Sequence, residues 1–303
     1  MAQALRTGLT LGDVRGHLKS GRWVKLRRNV YVTRADYDVA ARHDATLHAL
    51  EIRAFELAFS RHRLLGADTS AARVLGIELR HTPDPKTVLL TDDEGVSSTR
   101  RDDYTLRVAP LEAGEIWHRH GAKITSPART LLDHAANHGF EAGVVATESA
   151  YRKRLITPDE FKHAVDGADG RPGVRTIREV QAFAHPLIES VLESISRLSM
   201  RTAGIQMPIP QYVVIPFPEV RVDFFWPWLR LVGEADGMAK YEMNGRRPMD
   251  ALRDEREREQ RIRDAHCDIV RWDWHVACSP ERLAARILPA MERAEARLRG
   301  RAS

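Results

Sequence analysis

The stretch from Arg221 to Lys240, RVDFFWPWLRLVGEADGMAK, constrains this chain more than any other part of it. Val220, Val222 and Phe224 alternate with Arg221, Asp223 and Phe225, the period-two pattern of a half-buried strand. A second alternating run, Leu229 to Asp236, follows Pro227-Trp228. A hairpin turning on those two residues sets Asp223 across from Val232 and projects Glu234 and Asp236 from the same face, so that Asp223 and Glu234 are diagonal neighbours. Like charges avoid that arrangement unless something compensates them, and a divalent cation with oxygen ligands is the usual compensation. The pattern predicts a site for Mg²⁺ or Mn²⁺.

The rest of the chain sets the frame. Its 303 residues suffice for two or three domains with separate cores. A hydrophobic share of 43% with 29% charged residues is that of an ordinary globular protein and argues against a largely disordered chain. The opening MAQALRTG lacks the apolar core of a signal peptide, and no run of about 20 apolar residues is present to span a membrane. Cys267 and Cys278 make neither a disulfide framework nor a zinc set, which places the expectation in a reducing cytoplasm. Charge is uneven. Residues 1–35 carry Arg6, Arg15, Lys19, Arg22, Lys25, Arg27, Arg28 and Arg34 against Asp13 alone. Basic charge gathered at one end suggests a polyanionic partner, with a solvated basic arm as the alternative.

Element patterns divide the chain into a head, a middle and a tail: 1–90, 91–180 and 181–303. In the head, Thr10 to Lys19 reads as a helix, followed by strands Trp23–Leu26 and Asn29–Val32 joined at Arg27-Arg28. A helix and an arginine-tipped hairpin are how a winged helix sets its wing on phosphates, and a small packing unit with a basic surface is the alternative. A longer helix is expected over Asp38–Arg61, with strands at Lys86–Leu90 and Tyr104–Val108 and a capped helix entry at Ser126-Pro127. Further helices are expected at 141–153, 157–165 and 173–184, with Gly167–Gly173 as the linker candidate. His43, His48, His62, His134, His138 and His163 read as core or surface residues rather than metal ligands. The tail reads as helix 183–201, strands 211–216, 219–226 and 229–236, helix 249–265, strand 268–276 and helix 280–298. Trp272 and Trp274 are expected in its core.

Helix, three strands, helix, strand resembles the αβββαβ core of the PD-(D/E)xK restriction-endonuclease-like nucleases. Glu189-Ser190-x-x-Glu193, Arg221-Val222-Asp223-Phe224 and Glu234-x-Asp236-Gly237 resemble actinobacterial proteins whose tail is related to the very-short-patch mismatch endonuclease. In those proteins the head is similar to the winged-helix AbiEi-type antitoxin of type IV toxin–antitoxin systems, which Gly21-Arg22-Trp23 through Val30-Tyr31-Val32 resembles here. Thr125 to Thr130 resembles a motif of their middle region. The fold the resemblance implies is a multidomain α+β chain: a winged-helix-like module, a mixed α/β region and a restriction-endonuclease-like domain.

The resemblance implies that Asp223 and Glu234 are metal-binding carboxylates, with Glu193, or Glu189, as the helix acid completing the site. It implies Arg221 on a phosphate or against Asp223, and Arg22, Lys25, Arg27 and Arg28 on double-stranded DNA. The reaction implied is phosphodiester hydrolysis with Mg²⁺ or Mn²⁺ in a defence or toxin–antitoxin setting, with a cognate toxin or a second copy of the chain as further partner. One departure matters: Asp236 stands where the pattern has a lysine. Lys240 then becomes the candidate cation, and Asp236 a candidate extra ligand. The alternative is a DNA-binding regulator whose nuclease fold is catalytically silent, its acids on a solvated sheet face and Glu189 and Glu193 stabilised by Arg197.

Overall fold

Short-range capping fixes where most helices begin. Thr10 accepts a hydrogen bond from the Asp13 N–H (3.2 Å) and Asp13 returns one from the Thr10 N–H (2.8 Å), which starts helix α1, Leu11–Lys19. The computed structural model describes residues 8–82, 84–93, 96–236 and 248–302. Contacts divide the chain into two units, Met1–Ala184 and His185–Ser303.

In the first unit, α1 leads into the antiparallel hairpin β1 (Trp23–Arg27) and β2 (Val30–Thr33). The turn falls on Arg28-Asn29, one place later than expected; Asn29 adopts φ 61, a left-handed conformation asparagine tolerates. A register shift lies between Lys25 and Arg27. The expected helix over Asp38–Arg61 is two helices, α2 (Arg34–Ala40) and α3 (Asp44–Ala58). His43 is extended between them, and the Thr46 hydroxyl donates to the Ala40 carbonyl at 2.6 Å, taking a group the helix would otherwise use.

A mixed six-stranded sheet follows, built from β3 (Leu65–Gly66), β4 (Thr87–Thr91), β5 (Thr99–Arg100), β6 (Tyr104–Val108), β7 (Ile116–Arg119) and β8 (Ala122–Thr125). Its order is β5-β6-β4-β3-β8-β7, so it draws strands from both sides of residue 90. Helix α4, Asp68–Leu75, leaves β3 and packs between α3 and α5, Pro127–His138. Helices α6 (Phe140–Arg152), α7 (Pro158–Asp166) and α8 (Val174–Phe183) complete the unit. Gly143 lets α6 close on its neighbours: a Cβ there would lie 2.9 Å from Ala135 Cβ and 2.7 Å from Val180 Cγ2. The Gly167–Gly173 segment joins α7 to α8 inside this unit; the division between units falls after Ala184.

The second unit runs α9 (Val191–Thr202), β9 (Ile209–Val213), β10 (Arg221–Trp226), β11 (Leu231–Ala235), α10 (Pro248–Asp264) and β12 (Asp268–Trp272). Helix α9 begins eight residues later than read from sequence because Pro186 disfavours helix at His185, and Ser190 then caps, accepting from the Glu193 N–H at 3.1 Å. Strands β9, β10 and β11 form an antiparallel meander, and β12 joins β11 in parallel. One sheet face carries Phe224, Trp226 and Trp272, whose indoles cover Gly233 so closely that a Cβ there would meet them at 2.9 and 2.7 Å. The other face carries Phe225, Val232 and Ile269 against Ile262 of α10 and Ala265 just after it. Strand β12 stops at Trp272. Asp273 caps a short helix, α11 (Trp274–Ala277), so Trp274 is 50% exposed rather than in the core. Helix α12, Pro280–Ala302, closes the unit. Among the described residues, no helix is long and apolar enough to cross a membrane.

Candidate functional site

The β10–β11 connection decides how the acids meet. Residues Pro227–Leu229 form a 3₁₀ turn and Arg230 takes φ 48, which lengthens the loop beyond a two-residue turn. The register pairs Phe224 with Gly233 and Phe225 with Val232. Continued one place, it sets Asp223 directly opposite Glu234 on the α10 side of the sheet, not diagonal to it.

Asp223 is half-buried, and its Oδ2 accepts the backbone N–H of Ala235 at 2.9 Å. Glu234 is buried; Arg258 of α10 lies 2.5 Å from one carboxylate oxygen and Arg271 of β12 lies 3.0 Å from the other. Burial works to raise the pKa of Glu234, but Arg258 and then Arg271 outweigh it and hold the carboxyl below the ordinary glutamate range. Asp236 has its carboxylate 3.6 Å from Arg271 and its N–H on the Trp272 carbonyl. The site is thus a row of acids interleaved with guanidiniums.

Glu193 is placed differently from the expectation. It is buried in the first turn of α9, where it accepts from the Ser190 hydroxyl (2.8 Å), the Glu189 N–H (3.1 Å) and Gln211 Nε2 (2.8 Å). These bonds tie it to its own helix start and to β9, in place of the pairing with Arg197 that the alternative reading offered. Glu189 pairs with Arg221 at 2.7 Å, so Arg221 is engaged there rather than against Asp223. Lys240 and Gly237 lie outside the described residues.

The head residues also separate. Arg22, Lys25 and Arg28 are exposed. Arg27 is not a free hairpin tip: its guanidinium carbon lies 3.5 Å from the Phe55 ring centroid and its Nη2 2.5 Å from Asp103. The irregular register before Arg27 goes with this inward aim, since a bulge re-aims a side chain.

Sequence reading passed over one cluster. Asp68, His134 and His138 each offer a ligand atom, and these atoms lie within 4.8 Å of one another, the group of three His, Cys, Asp or Glu that converges so among the described residues. His134 and His138, read from sequence as core or surface residues, stand one helical turn apart on α5 and share a face. Burial works to raise the pKa of Asp68, and hydrogen bonds from His134 and His138 overcome it, holding the carboxyl far below its usual range.

No family model matches this chain. Its sequence is 29% identical over 219 residues to "Uncharacterized protein Rv2248" of Mycobacterium tuberculosis strain H37Rv, covering 67% of this chain and 77% of that protein. The same figures hold for "Uncharacterized protein MT2308" of the CDC 1551 strain.

Proposed function

We propose that this chain is a cytoplasmic DNA-binding protein whose second unit is an endonuclease-like module of the PD-(D/E)xK class, hydrolysing phosphodiester bonds in a defence or toxin–antitoxin setting. The observation that carries the reading is the β10–β11 register, which, continued one place, sets Asp223 beside Glu234 in a helix–meander–helix–strand unit. Exposed Arg22, Lys25 and Arg28 supply the basic surface for duplex DNA.

The acids fit a hard dication by donor type, since a ligand must be deprotonated and Glu234 is held in its ionised form. Asp223 and Glu234 would hold Mg²⁺ or Mn²⁺, which neutralises the scissile phosphate and helps ionise water. Arg258 and Arg271, 30% and 31% exposed, hold Glu234 charged. Lys240 takes the role of the lysine that Asp236 displaces.

A second reading has its own observation. Two guanidiniums offset the Glu234 charge without a metal ion, and Glu193 is engaged in capping α9, which suits a silent nuclease fold serving a DNA-binding regulator. Incubating supercoiled plasmid with the full chain and Mg²⁺ or Mn²⁺ separates the two: metal-dependent nicking supports the enzyme, and its absence beside retained DNA binding supports the regulator.

A further inference from the structure

The Asp68–His134–His138 cluster belongs to the first unit and is independent of the acids on β10 and β11. Asp68 is the first residue of α4 and 1% exposed, and it adopts φ 50, a left-handed conformation that aspartate takes more readily than most residues. Its carboxylate receives His134 Nδ1 at 2.8 Å, His138 Nε2 at 3.1 Å and Asn137 Nδ2 at 3.0 Å, with Arg107 at 3.5 Å. The two imidazole rings lie 4.5 Å apart between centroids.

Two features distinguish this from a simple hydrogen-bonded carboxylate. The three ligand atoms, one from each side chain, lie within 4.8 Å of one another, close enough to share one ion. A cavity of about 370 Å³ is lined by His134 and His138 together with Lys86, Arg100 and Arg107. It gives the cluster an opening to solvent on its histidine side.

We propose that Asp68, His134 and His138 form a three-ligand site for a transition-metal dication of the zinc class. Two imidazoles and one carboxylate suit Zn²⁺, Co²⁺ or Fe²⁺ rather than Mg²⁺, whose preference is for oxygen. Three protein ligands leave a further coordination position, which the cavity beside the histidines leaves room to fill with water or an anion. Asn137 and Arg107 hold the carboxylate from outside the ligand set, as outer partners of metal ligands do.

The test uses the full chain stripped of metal, titrated with Zn²⁺ by calorimetry and with Co²⁺ by visible absorption. One imidazole-bound ion per chain is expected, with cobalt bands in the visible. His138, 38% exposed, is the ligand to replace: His138→Gln should weaken Zn²⁺ binding at least about tenfold and remove the cobalt bands, with an unchanged circular dichroism spectrum. Glu234→Gln should leave the cobalt bands unchanged, which keeps this imidazole site separate from the proposed nuclease site. X-ray absorption at the zinc edge of the wild-type chain tests the ligand set should His138→Gln misfold: two imidazoles and a carboxylate support it, and a shell without imidazole overturns it. Equal affinity in wild type and His138→Gln, or no binding at all, overturns the site as well.

Discussion

The Asp223 carboxylate accepts the backbone N–H of Ala235 at 2.9 Å, tying an acid of β10 to the last residue of β11. An asparagine there keeps an oxygen for that N–H and removes the charge. Asp223→Asn should therefore leave unfolding free energy within about 1 kcal/mol of wild type while weakening Mn²⁺ binding at least about tenfold. Urea melts and calorimetric titration measure the two; equal Mn²⁺ affinity would remove Asp223 from the site.

Glu234 links stability to pH. Its carboxyl is depressed below the ordinary value of about 4.3, so its contribution is present above that pH and fades as pH falls through the lower, folded-state value. Glu234→Gln leaves Arg258 and Arg271 facing a neutral amide. Breaking a buried pair costs about 3–5 kcal/mol, and the partial exposure of both arginines reduces this to about 1–3 kcal/mol at neutral pH. Melts at pH 7 and pH 3 should show a smaller difference between wild type and variant in acid. A gap that grows on acidification contradicts this account.

The two arginines of the head hairpin should behave oppositely. Arg27→Ala loses the contact over Phe55 and the pair with Asp103, costing about 1–2 kcal/mol of stability and leaving the salt dependence of DNA binding unchanged. Arg28→Ala should cost little stability and flatten the slope of log affinity against log salt by about one. Binding isotherms on duplex DNA across a salt series read both. A flattened slope for Arg27→Ala with none for Arg28→Ala reverses the assignment.

What the sequence showed and what it hid follow from the range of the forces involved. The strands around Asp223 and Glu234 are legible because each alternates under a local period of two. Their register is not, since it depends on Arg230 accepting φ 48 after a 3₁₀ turn. Alternation also overran its end: Trp274 continues the pattern of Val270 and Trp272, and the cap from Asp273 breaks it. The helix break after α2 turns on the bond from Thr46 to Ala40, which composition does not announce. Arg27 reads as a hairpin tip until Phe55 and Asp103 are brought to it. His134 and His138 were visible at helical spacing, and their partner Asp68 lies 66 residues before His134, joined to it only by the fold.

Conversion of supercoiled plasmid to open circles measures metal-dependent hydrolysis by the second unit directly. Wild-type chain with Mg²⁺ or Mn²⁺ should nick, and chelation should stop it. Asp223→Asn and Lys240→Ala should each slow the reaction by about 10²–10³, the usual loss when a positioned electrostatic group is removed. A wild-type chain that binds the plasmid and leaves it supercoiled with either metal contradicts the enzyme reading and leaves the regulator in its place.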